Sequence, residues 1–208
     1  MHCCAVPTSL SGGAIAGWLR ALPEPRRSLL AERLSKGTGQ ESLTVLALLA
    51  GLLRALGLPS IGGLQWTPQG KPHLPGGPGI SLTHSRGFAA CAIAPEGLEL
   101  GIDLEPEGRA SASAVAQVAS DTERRALAEG MLSPTGLWTA KEAVLKAAGA
   151  GLYEISRVAV YARHARFAGV GYRWRHFRPR PGLVLAVATR GRLPAVSIQW
   201  PSPVPVSG

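Results

Sequence analysis

Residues 81–94, Ser-Leu-Thr-His-Ser-Arg-Gly-Phe-Ala-Ala-Cys-Ala-Ile-Ala, and residues 98–104, Leu-Glu-Leu-Gly-Ile-Asp-Leu, decide the fold class. The first stretch reads as a strand, a turn at Ser85-Arg86-Gly87 and a second strand, and the second stretch as a third strand. Ahead of them the pattern predicts helices over 23–34 and 42–56, the first broken by Lys36-Gly37-Thr38-Gly39 and the second closed by Gly57 and Pro59. Between residues 61 and 78 glycine and proline recur too often for a helix, which puts Gly70-Lys71-Pro72 on a loop or strand end. Beyond them, helices are expected over 112–128 and 137–148, and strands near 158–161, 172–177, 183–188 and 196–200. Each half thus mixes helices with mainly antiparallel strands, an α+β pattern, and the proline-rich stretch 201–208 is expected to be a disordered tail.

Composition bounds the function. With 46% apolar residues in 208, the chain has material for a sizeable core. Gly and Pro together number 43 without a triplet period, which excludes collagen and calls for many turns. The three cysteines, an adjacent Cys3-Cys4 pair and Cys91, have neither a disulfide framework nor a zinc spacing, so a cytoplasmic location is expected. No secretory signal is visible, and the most apolar run, 43–58, is too short for a bilayer and carries Arg54, so no membrane partner is expected. The net charge is +9, yet only Lys36, Lys71, Lys141 and Lys146 among the 22 basic residues are lysines. Such a balance suits a nucleic acid, an anionic cofactor or an acidic protein alike. Aromatic residues are 5% of the chain and do not interleave with a basic run as a single-strand platform requires. The densest basic stretch, 172–180, alternates like one strand of a half-buried sheet with a solvated outer face.

Three constellations carry chemistry. In Gly101-Ile102-Asp103-Leu104-Glu105 a strand's two-residue period puts both carboxylates on one face, a pair that a hard divalent ion such as Mg²⁺ would relieve. In Trp138-Thr139-Ala140-Lys141-Glu142-Ala143-Val144-Leu145-Lys146 a helix aligns Trp138, Glu142 and Lys146 in one stripe. That stripe is either a surface ion pair or, with Trp138 covered, a base or metal ligand beside a cation for phosphate charge. Gly70-Lys71-Pro72 and Thr83-His84-Ser85 offer hydrogen-bond donors to phosphate.

The order of these motifs, continuing into Gly149-Ala150-Gly151-Leu152, resembles the 4′-phosphopantetheinyl transferases of the surfactin-synthetase-activating (Sfp) type. Ser81 stands where that family often has Asn, Thr83 where it has Ser, and its basic N-terminal helix has only a loose counterpart in Arg26, Arg27, Arg33 and Leu34. The resemblance implies two similar α+β halves packed as a pseudo-dimer, residues 1–100 and 101–200, in one monomeric chain with coenzyme A between them. It implies transfer of the phosphopantetheine arm of coenzyme A to a serine of an acidic apo carrier protein, releasing adenosine 3′,5′-bisphosphate with the help of Mg²⁺ or Mn²⁺. Asp103, Glu105 and Glu142 would then hold the metal, Glu142 would take the serine proton, and Lys146 would meet pyrophosphate charge. Lys71, Pro72, Thr83 and His84 would hold the nucleotide end, with Arg27 and Arg33 as helpers. In this reading the arginine surplus steers the carrier and no nucleic acid is bound. The competing reading is a basic nucleic-acid-binding module without catalysis.

Overall fold

The computed structural model describes residues 1–7 and 12–200, so the tail expected at 201–208 lies outside the described residues. In chain order the elements are β1 (His2–Pro7), α1 (Gly12–Ala21), α2 (Arg26–Ser35), α3 (Gln40–Ala55), β2 (Gln65–Trp66), β3 (Pro72–His73), β4 (Pro78–Ser85), β5 (Phe88–Glu96) and β6 (Leu100–Pro106). They continue as α4 (Ala112–Val118), α5 (Asp121–Ala128), α6 (Pro134–Ala148), β7 (Ala159–Val160), β8 (His164–Phe167), β9 (Val170–Phe177), β10 (Leu183–Arg190) and β11 (Ser197–Gln199). The fold is α+β. One sheet has the order β11-β1-β5-β4, a second the order β6-β10-β9-β8-β7, and β2 pairs with β3 as a small hairpin. Residue 100, near which a boundary was expected, opens β6, and the last strand returns to pair in parallel with β1 of the first sheet.

Each sheet carries one long helix. Leu43, Leu46, Leu49 and Leu53 of α3 pack with Ile80 and Cys91 of the first sheet. Ala140, Ala143, Val144 and Ala147 of α6 pack with Trp174, Ala186 and Ala188 of the second. The opposite sheet faces meet each other through Ala90 and Ala92, Ile102 and Leu104, and Leu185 and Val187. At this junction β4 runs beside β6, and the Ile102 amide donates to Ser81 Oγ at 2.9 Å. Ser81 is therefore a link between the two sheets.

The helix expected over 112–128 is two helices. Ser120 Oγ accepts from the Glu123 amide, and the Glu123 carboxylate accepts from the Ser120 amide at 2.7 Å, a reciprocal cap that starts α5 afresh. Glu123 is fully buried and also accepts from the Val160 amide at 2.7 Å. Its remaining charge is met by Lys141, whose ammonium lies 2.8 Å away, is equally buried, and donates to the Val158 carbonyl. Lys141 thus belongs to the core beneath α6 and has no part in the phosphate-facing stripe of its motif.

Seating α6 on β6 requires Gly101. A Cβ there would lie 1.9 Å from the Ala143 carbonyl oxygen and 2.3 Å from the Ala147 amide nitrogen, both backbone atoms of α6. Gly101→Ala is expected to lower unfolding stability by about 3 kcal/mol or more, read by denaturant titration, because only a shift of the whole helix admits the methyl group. Lys141→Met should cost about 3–5 kcal/mol by leaving Glu123 charged and unpaired, with specific activity of the folded fraction unchanged.

Candidate functional site

The cleft between α3 and β4 on one side and β6 and α6 on the other has a volume of about 410 Å³ and is lined by Ser42, Thr83 and His84 from the first side and Asp103, Glu105, Glu142 and Lys146 from the second. Its centre is Lys146. The ammonium donates to Asp103 Oδ1 at 2.6 Å and to Thr83 Oγ1 at 3.1 Å, and lies 3.7 Å from Glu142 Oε2. Thr83 in turn donates to the same Asp103 oxygen at 2.9 Å. These contacts follow from local structure. The strand period directs Asp103 and Glu105 toward α6, and the helical period puts Trp138, Glu142 and Lys146 above them. Trp138 Nε1 donates to Glu142 Oε1 at 2.6 Å, which fixes the carboxylate from its far side. Ser85 Oγ donates to Glu105.

Charge is crowded here. Burial, then the Asp103 carboxylate, push Glu142 up to about 7, against the pull of Lys146 and the Trp138 hydrogen bond. Burial opposes the charge on Lys146, but Asp103 and Glu142 together outweigh it and hold this ammonium above the usual lysine range. Burial also raises Glu105, opposed by the Ser85 hydrogen bond. His84 is depressed, chiefly by burial, against the opposing influence of Glu41. Its Nδ1 lies 3.1 Å from Glu41 Oε2 and its Nε2 3.1 Å from Ser42 Oγ. A neutral ring that donates from Nδ1 to Glu41 and accepts at Nε2 from Ser42 satisfies both contacts.

Three expected cofactor contacts do not line this cleft. Lys71, with its amide held by Thr67 Oγ1, turns its ammonium onto the Ala147 carbonyl at the end of α6, 2.8 Å away, and lines a separate groove with Leu98 and Glu99. The unsatisfied carbonyls of a helix C-terminus are a natural partner for a lysine. The Arg27 guanidinium folds back onto the Leu22 carbonyl at 2.9 and 3.1 Å. Arg33 is exposed on α2. Pro72 does line the cleft, and so does Arg26 in place of Arg27. Arg26 stands 5.1 Å over the Trp66 ring, with its Nε buried and without a hydrogen-bond partner. Arg26, Trp66, Glu41 and Ser42 were not assigned as site residues from sequence; only Arg26 was noted, as part of the loose counterpart of the family's basic helix.

The expected metal set is looser than three converging ligands: among the described residues no three His, Cys, Asp or Glu side chains gather as a metal cage. The donors nevertheless fit Mg²⁺. Asp103 Oδ2 is buried with no hydrogen-bond partner, and Glu142 is raised partly by the Asp103 charge, so a cation between the two would relieve both. One or two carboxylates, completed by water and phosphate oxygens, suit this ion.

Glu142→Gln removes the carboxylate that burial and Asp103 oppose. A carboxyl group whose pKa is raised on folding loses stability as pH rises from its ordinary value of 4.5 to about 7. In metal-free buffer the variant should therefore unfold with up to about 3 kcal/mol greater stability than the parent above that interval, the gain shrinking toward zero below it. Thermal melts across the interval give the sign directly; a gain that does not vary with pH would contradict this electrostatic account.

Two comparisons bear on what the cleft belongs to. No curated protein matches the chain. Residues 99–173, from just before β6 into β9, match the family model described as the 4′-phosphopantetheinyl transferase superfamily, a stretch holding Asp103, Glu105, Glu142 and Lys146. The resemblance drawn from the motifs thus holds at superfamily level, and the chain carries that superfamily's signature over residues 99–173.

Proposed function

We propose that this protein is a phosphopantetheinyl transferase of the surfactin-synthetase-activating type. It transfers the 4′-phosphopantetheine moiety of coenzyme A to a serine of an acidic apo acyl or peptidyl carrier protein, giving the holo carrier and adenosine 3′,5′-bisphosphate. The observation that carries the reading is the meeting of Thr83, Asp103, Glu142 and Lys146 across the junction of the halves, three of them inside the superfamily match. The chain acts as a monomer because a single copy supplies both sides of the cleft.

Asp103 and Glu142 would hold Mg²⁺, with Glu105 reaching it through water. The ion supplies Lewis acidity to the pyrophosphate when bound. Glu142 takes the proton from the carrier serine; a carboxylate raised toward neutrality is a stronger base than an ordinary glutamate and is still partly ionised near pH 7. The serine oxygen bonds to the phosphorus that bears pantetheine, and the bridging P–O bond breaks toward the adenosine side. Lys146 meets the negative charge that gathers on the bridging oxygen, so it works by electrostatic stabilisation of the transition state. Coenzyme A thereby displaces Lys146 from part of its hold on Asp103. His84, Ser42 and Arg26 receive the nucleotide end, Trp66 and Pro72 shaping that side of the cleft.

Incubated with Mg²⁺ and coenzyme A, the protein is expected to add one phosphopantetheine mass to an apo carrier from a panel of fatty-acid, polyketide and peptide-synthetase types, read by intact-protein mass spectrometry. Asp103→Ala and Glu142→Ala should lose activity by about a hundredfold or more, and Lys146→Ala should lower kcat with less effect on KM. No mass shift on any carrier rejects the function; full activity of Glu142→Ala rejects the assignment of the base.

A further inference from the structure

A second cavity lies away from the cleft. It is a groove of about 960 Å³ over β8 and β9, walled by the segment after β10 (residues 191–193). Its lining contains Arg163, Arg166, Arg173, Arg175, Arg192 and His164 and no carboxylate. All five arginines are exposed, and none makes an ion pair among the described residues, although Arg157, Arg178 and Arg190 nearby each have an acidic partner. Register accounts for the arrangement. Asp103, Ala186 and His176 align across β6, β10 and β9, and Ala186 belongs to the core under α6. Arg175 aligns with Val187, one residue on and therefore on the opposite face, where Val187 packs against the first sheet. That sheet does not extend over β8 and β9, so the face changes from apolar to arginine-covered within one sheet. A carrier whose serine is in the cleft approaches the other face, and catalysis leaves this groove unused.

We infer that the groove binds the sugar-phosphate backbone of a nucleic acid. The inference stands independently of the proposed transferase activity and departs from the sequence-based expectation that no nucleic acid is bound. Arg173 and Arg175 are two residues apart on one strand, with Arg166 on the next strand opposite Gly171, where no side chain fills the floor. The strand positions that carry these arginines are about 5–7 Å apart, a spacing that lets their guanidinium forks reach successive phosphates. The aromatic floor residues Tyr172 and Trp174 are buried and Leu193 is the one partly buried aliphatic side chain of the lining, so the groove offers little of the aromatic anchoring a protein partner uses. Interfaces with nucleic acids are instead rich in positive charge. At the edge, His164 stacks on the exposed ring of Tyr161 with centroids 4.5 Å apart, a surface on which an unpaired base can continue the stack.

The test is fluorescence anisotropy of the full chain with mixed-sequence DNA and RNA of about 20 nucleotides, single- and double-stranded, from about 50 mM salt upward. Arg166→Gln with Arg173→Gln is compared with Arg20→Gln and Arg54→Gln, an equal loss of charge from exposed sites in the other half. The groove variant should bind about tenfold more weakly, and its slope of log affinity against log salt should flatten by about two units. The control should stay close to the parent, and phosphopantetheine transfer should be unchanged in both. Should the strand variant fold poorly by circular dichroism, Arg163→Gln with Arg192→Gln, outside the strands, serves the same comparison. Equal weakening in groove and control variants, absence of binding at the lowest salt, or displacement by polyglutamate of equal charge as readily as by nucleic acid would each overturn the inference; the last outcome assigns the groove to an acidic protein.

Discussion

Helix α6 lies so close to β6 that at Gly101 there is no room for a methyl group. This one approach sets the rest of the site. With the helix pressed onto the strand, Lys146 reaches Asp103 directly and Glu142 is held beside both, with its second oxygen on Trp138. A helix riding even 1–2 Å higher would turn these contacts into separate solvated charges, since burial is what raises Glu142 and what makes Lys146 depend on Asp103. The same seating puts the Ala147 carbonyl within reach of Lys71 and lets Gly149, with φ at 69°, end the helix in the left-handed conformation. Packing density, at a position without a side chain, thereby controls electrostatics several residues away.

How legible this was depended on the range of the interactions involved. The hairpin of β4 and β5, strand β6 and helix α6 follow from periodicity and turn chemistry within short windows, and so do the two carboxylates on one face and the Trp138, Glu142 and Lys146 stripe. Strand β1 was not foreseen, because its pairing with β5 and β11 lies far along the chain. Helix α1 contains Gly12, Gly13 and Gly17, whose low helix propensity hid its apolar face. The division of 112–128 was legible in principle, since Ser120 and Glu123 have the spacing of a reciprocal cap. The arginines were the hardest to read. Arg26 and Arg27 are adjacent, and only the phase of α2 against the cleft decides that Arg26 faces Trp66 while Arg27 folds onto the Leu22 carbonyl.

The four lysines show how one residue type is sorted by surroundings. Lys36 is a surface ion pair with Glu32 at 2.6 Å and contributes at most about 1 kcal/mol. Lys141 is wholly buried, where a compact ammonium reaching one carboxylate and one carbonyl fits and a guanidinium with five donors would leave several unsatisfied. Lys71 holds a helix end. Lys146 alone combines a charge held by opposing carboxylates with access to solvent, its side chain being 31% exposed. Access separates the two lysines of the α6 motif: each has a carboxylate partner, but only one can exchange that partner for a ligand.

That exchange gives the cleft its direction. Without a ligand, Lys146 occupies the place between Asp103 and Glu142 where a metal ion would relieve the same repulsion. In the proposed reaction a divalent ion held by these carboxylates would compete with the ammonium, and Lys146 would turn toward the phosphate charge. The cost of separating Lys146 from Asp103 is offset only when phosphate arrives, because an ammonium in this partly dry cleft needs an anion. On the proposed function, metal and phosphate would be coupled through Lys146. A divalent ion alone would meet a competing internal cation, whereas Lys146 would find an anionic partner once a pyrophosphate is bound. If the proposed function holds, this arrangement would favour entry of the metal together with its anionic substrate over prior loading of the bare protein.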